Sequence, residues 1–281
     1  MPILENKVIY LYMYGGLGNQ IFQLFAAIIL ATKKKISRIE IDESYLLAKQ
    51  LKGQIEEVLN FEAFGIEITY RKKLITKLRL PRFLKIKSKF NPFVSDGNFY
   101  RALNSAPRMN FYLDGYFIDA IDQGTFDRHL KLISKGFRLK SLDSEVNFKN
   151  RCVIHLRGTD FIKLGWSKIT PLGYYKSSIQ KMVEIGIDSF DVVTDDINYA
   201  KSFFDNNSYI KNYISTDLIS DFFYIAKFQY KILSPSTFAF WASVFGVNRT
   251  GKKSLIIAPS FWSPDLRRKI RLKNEINLSV F

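Results

Sequence analysis

The chain has a single cysteine, Cys152, among its 281 residues, which excludes an intrachain disulfide. It also lacks the uninterrupted apolar run of about 20 residues that a membrane-spanning helix requires. Glycine, asparagine and glutamine residues between positions 15 and 23 interrupt the most apolar segment. The N-terminus shows no basic start followed by a long apolar stretch, the pattern of a secretory signal. These absences predict a cytoplasmic protein with a buried strand, turn and helix near its start.

Acidic residues are scarce relative to basic ones. The chain has 26 Asp and Glu against 42 Lys and Arg, which gives a formal net charge of +16. This excess fits a polyanionic partner, an anionic membrane surface or a phosphate-bearing ligand, and it equally fits a solvated lysine-rich surface. Because 47% of the residues are hydrophobic and 15% are aromatic, the composition excludes an extensively disordered chain.

Strand and helix patterns alternate regularly in the second half of the chain. Apolar runs such as CVIHL, FDVVT, YKILS and SLIIA are separated by helix-like segments from residue 151 onward. This alternation predicts an α/β domain with a parallel sheet, whose ligands bind beyond the carboxyl ends of the strands. The polar stretch 139–150 indicates a boundary, and we expect an N-terminal domain over residues 1–145 and a C-terminal domain over 146–281.

The N-terminal glycine turn, YMYGGLGNQIFQ, follows a strand-like run and precedes a helix-like run, as in dinucleotide-binding units. Glu40 and Asp42 follow where such units carry a ribose-binding acid. However, Ile21 occupies the position of the third glycine, so helix and strand cannot pack as that motif requires. We therefore predict that Gly16 and Gly18 let the backbone approach an anion other than NAD, and that Glu40 and Asp42 are ordinary strand-end acids.

The first strand end of the second half, CVIHLRGTD, carries His155, Arg157 and Asp160. Alternation along a strand places His155 and Arg157 on one face. An arginine fork stays charged and matches phosphate oxygens, so the pair is typical of a phosphate-binding strand end. The alternative is a salt bridge from Arg157 to Asp160 that only ties the loop.

The second strand end, VVTDD, carries Asp195 and Asp196. Adjacent carboxylates there can hold a metal ion, accept hydrogen bonds from the N1–H and N2–H₂ edge of guanine, or cap the helix that begins immediately afterwards. No histidine or spaced carboxylate triad accompanies them, so the pattern argues against a metal site. The guanine and capping interpretations remain open.

The third strand end, LSPSTFAF, places hydroxyl side chains where a strand passes into a helix. Ser234, Ser236 and Thr237 can bind phosphate together with the free N–H groups of the helix N-terminus, or they can act as ordinary helix caps. Phe238 follows among core-like aromatic residues, and we predict that it also lies beside the ligand. On consecutive strand ends of one sheet, the three clusters predict a nucleotide-diphosphate pocket.

The motifs GGLGNQIFQ, HLRGTD, VVTDD and SPSTFAFWAS, in this order over most of the chain, resemble the inverting α-1,2-fucosyltransferases of glycosyltransferase family 11, especially the bacterial enzymes of polysaccharide assembly. The central motif of that family usually reads His-x-Arg-Arg-x-Asp. This chain retains His155, Arg157 and Asp160 but has Gly158 in place of the second arginine. Without the second arginine, part of the phosphate contact that the family makes would be absent, or the rate of transfer would differ.

The resemblance implies a GT-B-like α/β fold of two facing Rossmann-like domains with parallel sheets. It also implies transfer of L-fucose from GDP-β-L-fucose, bound by the C-terminal domain, to an acceptor on the side of the N-terminal domain, without a metal or other cofactor. Asn19 would face the leaving oxygen, by likeness to the Gly-x-x-Gly-Asn-Gln turn of protein O-fucosyltransferases. The remaining donor contacts that it implies are His155 and Asp195 or Asp196 near the guanosine, and Arg157 on the diphosphate beside Ser236 and Thr237.

The implied acceptor is a galactose-terminated oligosaccharide, including one linked to a lipid diphosphate at the inner face of the cytoplasmic membrane. The basic segment 71–89 is then the candidate contact with anionic lipid. The acceptor proton passes either to Asp160 or to the leaving phosphate. Three alternatives stay open: another sugar-nucleotide transferase, a nucleic-acid-binding protein and a Rossmann oxidoreductase. The second lacks a recognisable binding module, and Ile21 weakens the third.

Overall fold

The computed structural model describes residues 7–72, 93–106, 110–138, 148, 150–250 and 254–278. The chain divides into two compact units, Met1–Arg138 and Leu139–Phe281. Residues 139–147 lie outside the described residues, so the boundary expected between residues 145 and 146 stays a prediction. The basic segment 71–89 also falls outside them, apart from residues 71 and 72.

The first unit contains a five-stranded parallel sheet. Its strands are β1 (Ile9–Tyr12), β2 (Arg38–Asp42), β3 (Glu67–Arg71), β4 (Phe93–Val94) and β5 (Phe111–Leu113). Their order across the sheet is β3-β2-β1-β5-β4. The chain therefore adds β2 and then β3 on one side of β1, and it places β5 next to β1 on the other side, with β4 at that edge.

The described helices of the first unit are α1 (Leu17–Lys34), α2 (Ser44–Ala48), α3 (Gln54–Val58), α4 (Phe99–Asn104) and α5 (Gln123–Lys135). From Leu17 to Ala31, every residue of α1 except Asn19 is buried. A helix that is apolar around its whole circumference belongs inside a core, so the predicted buried strand, turn and helix are confirmed. The helix begins at Leu17, which places Gly18 inside its first turn rather than in the preceding loop.

The second unit contains a six-stranded parallel sheet, as the alternation of strands and helices predicts. Its strands are β6 (Arg151–Leu156), β7 (Ser189–Thr194), β8 (Ile210–Ile214), β9 (Tyr230–Ile232), β10 (Leu255–Ala258) and, after a short β11–β12 hairpin (Phe261–Ser263 and Leu266–Arg267), β13 (Glu275–Asn277). Their order is β13-β10-β9-β6-β7-β8. The sequence pattern did not predict β8, the hairpin or β13.

Helices cover both faces of the second sheet. They are α6 (Thr159–Lys163), α7 (Leu172–Glu184), α8 (Ile197–Phe204), α9 (Leu218–Lys227) and α10 (Thr237–Thr250). On one face, Cys152, Ile154 and Leu156 of β6 join a core cluster with residues of α7 and α8. On the other face, Phe238 of α10 packs against both His155 and Phe222 of α9. The predicted division of the β6 side chains between two faces is therefore confirmed over the strand.

The described residues contain no helix that is both long enough and apolar enough to cross a membrane.

We expect Gly246→Ala to destabilise the second unit, because a Cβ at Gly246 would lie 2.1 Å from the carbonyl oxygen of Ala226 in α9. Backbone cannot yield as a side-chain tip does, so overpacking should lower the free energy of unfolding by about 1–3 kcal/mol. Urea denaturation followed by tryptophan fluorescence measures it selectively, since all three tryptophans lie in the second unit.

The matched control is Gly173→Ala at an exposed position in the first turn of α7. Alanine favours a helix over glycine by up to about 1 kcal/mol, so this change should be neutral or stabilising. Equal effects of the two substitutions would contradict the close α9–α10 packing.

Candidate functional site

The second sheet reverses its direction of winding between β6 and β9. Strands β7 and β8 follow β6 on one side, whereas β9, β10 and β13 extend the sheet on the other side. In open parallel sheets, ligands bind at this point, beyond the carboxyl ends of the strands. The carboxyl ends of β6 and β9 lead directly into Arg157 and Ser234, so two of the three predicted clusters flank the switch point.

Arg157 follows the last residue of β6 and lies between two carboxylates. Its Nε and Nη2 donate to the two carboxylate oxygens of Asp160, at 2.9 and 3.2 Å. Its Nε also lies 3.1 Å from Oδ2 of Asp195. The salt bridge considered as the alternative for Arg157 and Asp160 is therefore present. Among the described residues, no hydrogen bond engages Nη1 of Arg157.

Asp195 connects the ends of β6 and β7. Its Oδ1 accepts from the backbone N–H of Gly158 at 2.7 Å, and its Oδ2 accepts from the Thr159 hydroxyl at 2.6 Å. With Arg157, three groups of the β6 strand end converge on one carboxylate of the β7 strand end. Charge-assisted hydrogen bonds of this kind are stronger than neutral ones. Asp195 therefore organises the loop that carries Arg157.

These contacts favour the ionised forms of Arg157 and Asp160. Burial lowers the pKa of the Arg157 guanidinium, but the hydrogen bond to Asp160 and the negative charge of Asp195 outweigh it, so the pKa lies above its ordinary value. For Asp160, burial raises the pKa, whereas the hydrogen bond and charge of Arg157 lower it to below its ordinary value. Both groups are ionised at neutral pH.

Asp196 has a different role from its neighbour. It is the N-cap of α8, where its Oδ1 accepts from the backbone N–H of Tyr199 at 2.9 Å. Its own N–H donates to the Thr194 hydroxyl at 3.1 Å. The capping interpretation thus describes Asp196, whereas Asp195 binds the β6 strand end. A contact of either carboxylate with guanine stays a prediction.

Gly158, which stands where the resemblance leads us to expect a second arginine, occupies a closed position. A Cβ there would lie 2.8 Å from Cβ of Asp196 and 3.2 Å from the Tyr199 ring. The glycine lets the loop approach α8 closely enough for its N–H to reach Asp195. An arginine at this position requires a different placement of the loop or of α8.

His155 lies in the strand next to the switch point and is almost fully buried. Its Nδ1 is 2.7 Å from the Ser234 hydroxyl, and its carbonyl oxygen accepts from the Ser234 N–H at 3.1 Å. Burial, assisted by the positive charge of Arg157, lowers the pKa of His155 to about 3. The imidazole is therefore neutral at physiological pH and ties β6 to the start of the β9–α10 loop.

The β9–α10 loop places its hydroxyls at the beginning of a 14-residue helix. The Ser236 carbonyl accepts from the N–H of Phe240 at 3.0 Å, and its hydroxyl is 3.5 Å from the N–H of Ala239. Ser236 therefore occupies the capping position, and Thr237 is the first residue of α10. The ring of Phe238 lies 5.9 Å from the His155 imidazole and is only partly buried. This helix N-terminus carries the partial positive charge that favours phosphate.

The predicted residues Gly16, Gly18 and Asn19 belong to the first unit. Gly16 is the N-cap of α1, and Gly18 and Asn19 lie in its first turn. The backbone conformation that favours glycine occurs one residue earlier, at Gly15, with φ +81°. Gly15 was not among the predicted site residues, although the Gly-Gly pair offered a signal for it.

Two glutamines of α1 hold the glycine turn in place. Both are fully buried. Gln20 donates to the Gly15 carbonyl at 3.0 Å, and Gln23 both donates to and accepts from the Tyr14 backbone at 3.1 Å. In the sequence, these residues stand out only as interruptions of an apolar run, whereas in the structure their amides replace the backbone partners that the turn lacks.

Glu40 and Asp42 make local contacts. Glu40 is buried within β2 and forms ion pairs with Arg38 at 2.9 Å and Arg71 at 2.8 Å. Asp42 accepts from the N–H of Ser44 at 2.9 Å. Within the described ranges, no group of three or more His, Cys, Asp or Glu side chains is arranged to hold a metal ion.

Two comparisons of the amino-acid sequence with known proteins both match glycosyltransferases. A profile of glycosyl transferase family 11 matches residues 9–278. The O-antigen biosynthesis glycosyltransferase WbnK of Escherichia coli is 24% identical over 310 residues, which cover 96% of this chain and 100% of WbnK.

Solved structures support the fold. The NodZ α-1,6-fucosyltransferase soaked with GDP-fucose gives a TM-score of 0.54 at 13% identity, covering 86% of this chain and 93% of NodZ. Fucosyltransferase NodZ from Bradyrhizobium gives 0.53 at 13% identity, over 85% and 92% of the two chains. A mutant of Arabidopsis thaliana FUT1 in complex with GDP gives 0.52 at 12% identity, over 94% and 74%. The predicted α/β, GT-B-like class is confirmed, whereas the facing arrangement of the two domains stays a prediction.

We expect His155 to make the second unit less stable as the pH falls from 6.5 towards 3. The unfolded imidazole binds a proton in this window and the folded one does not, so stability decreases by up to about 1.4 kcal/mol per pH unit. His155→Asn retains a polar partner for Ser234 but does not titrate. Between pH 7 and pH 5, the stability difference between wild type and variant should change by about 2 kcal/mol, measured by denaturation with tryptophan fluorescence.

His129→Asn in α5 of the first unit is the control and should leave this pH dependence as in the wild type. Identical pH slopes for wild type and His155→Asn would show that His155 is not held neutral.

Proposed function

Because the chain belongs to glycosyl transferase family 11, we propose that this glycosyltransferase moves L-fucose from GDP-β-L-fucose to a galactose hydroxyl of an oligosaccharide, forming an α-1,2 linkage with inversion and without a metal. The names of similar proteins support this proposal. One NodZ structure was obtained after soaking with GDP-fucose, and the FUT1 mutant was solved in complex with GDP, while WbnK is named for O-antigen biosynthesis.

The observation that carries the proposal is the chemistry at the switch point of the second sheet. Arg157 stands at the end of β6, and the N-terminus of α10 with the Ser236 hydroxyl follows the neighbouring strand β9. A guanidinium and a helix N-terminus are two strong binding groups for phosphate. Their position on adjacent strand ends suits the diphosphate of a nucleotide sugar.

The same groups suit the charge that develops during transfer. As the bond between fucose C1 and the phosphate oxygen breaks, negative charge accumulates on the departing GDP. Arg157 and the α10 N-terminus stabilise that charge, and one such donor can be worth about 10²–10³ in rate. The acceptor oxygen forms its bond to C1 from the opposite face, which inverts the anomeric configuration.

Asp160 is better placed to position Arg157 than to accept a proton. Both of its oxygens bind the guanidinium, and its pKa is lowered by that contact despite burial. A carboxylate in this state is a weak base. We therefore assign the acceptor proton to an oxygen of the departing diphosphate, which becomes more basic as the bond to fucose breaks.

The guanine contact falls to Asp196 rather than Asp195 in this proposal. Both Asp195 oxygens already accept hydrogen bonds, from Gly158 and Thr159. Asp196 uses Oδ1 for its helix cap, and its Oδ2 has no hydrogen-bond partner within the described ranges. His155 then supports the site from below by fixing Ser234, and Asn19 is proposed to face the leaving oxygen.

We expect GDP to raise the thermal stability of the protein, whereas UDP and NAD should not. At about one hundred times its dissociation constant, a ligand stabilises by roughly 2.7 kcal/mol, a shift that differential scanning fluorimetry detects readily. Arg157→Ala should remove most of the GDP shift and lower fucosyl transfer at least about 100-fold. Arg157→Lys should retain part of both, because lysine keeps the charge but not the fork.

Arg267→Ala, at an exposed position of β12, is the matched control for loss of a positive charge and should retain both properties. A thermal-stability shift with UDP instead of GDP would reject GDP-fucose as the donor but would still support a sugar-nucleotide transferase. Near-wild-type transfer by Arg157→Ala would remove the proposed role of Arg157.

We also propose that the protein acts at the cytoplasmic membrane surface on lipid-diphosphate-linked acceptors. The support is the net charge of +16, which attracts a protein to anionic lipid. The protein should co-sediment with vesicles of phosphatidylglycerol and phosphatidylcholine in low salt, and less so in high salt. Equal binding to vesicles of phosphatidylcholine alone would contradict the proposal.

A further inference from the structure

The first sheet has its own switch point, between β1 and β5. Strands β2 and β3 extend it on one side of β1, whereas β5 and β4 lie on the other side. The loops that leave the carboxyl ends of β1 and β5 begin near Tyr14 and Asp114. A ligand of this unit is therefore expected beside these two loops, by the same topological rule that applies to the second sheet.

Tyrosine rings from three strand ends meet at this point. The Tyr14 ring, after β1, lies 4.6 Å from the Tyr116 ring, after β5, and 6.1 Å from the Tyr45 ring, after β2. Tyr12 adds a fourth ring, 5.3 Å from Tyr14. Tyr116 is 39% exposed, so the group is open to solvent at this ring. We refer to Tyr12, Tyr14, Tyr45 and Tyr116 as the tyrosine cluster.

The backbone on both sides of the cluster adopts uncommon conformations. Gly15 has φ +81°, and a Cβ there would meet the Tyr116 ring at 3.2 Å. Phe117 has φ +56° although it is a fully buried aromatic residue, a conformation that bulky side chains rarely adopt. Strain of this kind persists where the surrounding structure enforces it and is concentrated at ligand-binding sites.

A carboxylate is built into the same turn. A Cβ at Gly115 would lie 2.2 Å from Oδ2 of Asp96, so the absence of a side chain there lets Asp96 enter the turn after β5. Backbone hydrogen bonds from Tyr116 and Phe117 hold this carboxylate, and burial nevertheless raises its pKa. Burial, and to a smaller extent the negative charge of Asp114, raises the pKa of Tyr14. The Tyr14 phenol therefore stays protonated and can donate a hydrogen bond.

A second polar group beside the cluster is incompletely satisfied. The Gln20 side chain is fully buried and donates through Nε2 to Gly15, but its Oε1 has no hydrogen-bond partner within the described ranges. Unsatisfied buried acceptors are rare and often belong to functional sites. This acceptor belongs to the α1 side chain that binds the carbonyl of Gly15, the residue after Tyr14, and it is an observation independent of the tyrosine rings.

This chemistry differs from that at the other switch point. The second sheet presents Arg157 and hydroxyls, which suit an anion. The first presents aromatic rings, phenol hydroxyls and a carboxylate, which match a neutral sugar: ring faces pack on its C–H surface, and oxygens bind its hydroxyls.

We propose that the carboxyl edge of the first sheet is a binding site for a neutral pyranose, which packs on the ring of Tyr116 and hydrogen-bonds to Asp96 and the Tyr14 phenol. Under the proposed function, on which this inference rests for its choice of sugar, the pyranose is the terminal galactose of the acceptor. Tyr116 then determines the acceptor KM and leaves the binding of GDP unchanged.

The test uses lactose and methyl α-D-mannoside with the full-length protein. Saturation-transfer NMR measures sugar binding without any transfer reaction, and calorimetry measures GDP binding separately. Tyr116→Ala should weaken sugar binding and raise the acceptor KM by about tenfold or more, with the GDP affinity unchanged. Tyr116→Phe should retain binding, since it keeps the ring, whereas Asp96→Asn should weaken it.

Tyr209→Ala is the matched control, because Tyr209 is 38% exposed and lies in the second unit. It should leave sugar binding as in the wild type. Sugar binding by Tyr116→Ala at wild-type strength, or no binding of either sugar to the wild type, would overturn the proposed site.

The assays separate this inference from the proposed function. Mannoside binding that depends on Tyr116, with no lactose binding, would support the sugar site and reject galactose as acceptor. Tyr116-dependent lactose binding without GDP binding would support the sugar site while rejecting the donor.

Discussion

The carboxylate of Asp195 is the constraint on which the candidate site of the second unit depends. It binds the Gly158 N–H, the Thr159 hydroxyl and Arg157, and so it joins the ends of β6 and β7 at one point. Gly158 makes this possible, because a side chain there would collide with Asp196. Arg157 is therefore placed by a carboxylate of the neighbouring strand end as well as by Asp160 of α6.

Arg157 can bind phosphate through Nη1, whereas its Nε–Nη2 edge can do so only by exchanging a carboxylate partner, and the two partners differ in the cost of that exchange. The Asp160 side chain is 51% exposed, whereas that of Asp195 is 24% exposed and has two further donors. An exposed ion pair contributes only about 0–1 kcal/mol, so a phosphate can displace Asp160 at little cost. Asp195 stays in place and keeps the guanidinium oriented while the guanidinium binds the phosphate in place of Asp160.

The sequence predicted the features that arise from local patterns. Alternating strands and helices, the clusters at strand ends and the cap at Asp196 depend on residues within a few positions of each other. The division of roles between Asp195 and Asp196 was not predictable, because it depends on how closely Gly158 approaches α8. The tyrosine cluster was missed for a similar reason: Tyr14 and Tyr116 are distant in sequence, and the placement of β5 beside β1 brings them together.

Two sheets of the same parallel class thus carry opposite chemistry at equivalent positions. A topological switch point supplies a crevice but does not determine what occupies it. In the second unit, the cation and the helix N-terminus favour a ligand with concentrated negative charge. In the first unit, the tyrosine cluster and Asp96 present ring faces and oxygen atoms that suit a neutral hydroxylated ligand. Under the proposed function, the charged donor and the neutral acceptor need different binding groups, and the side chains at the two strand edges supply them although both sheets are parallel.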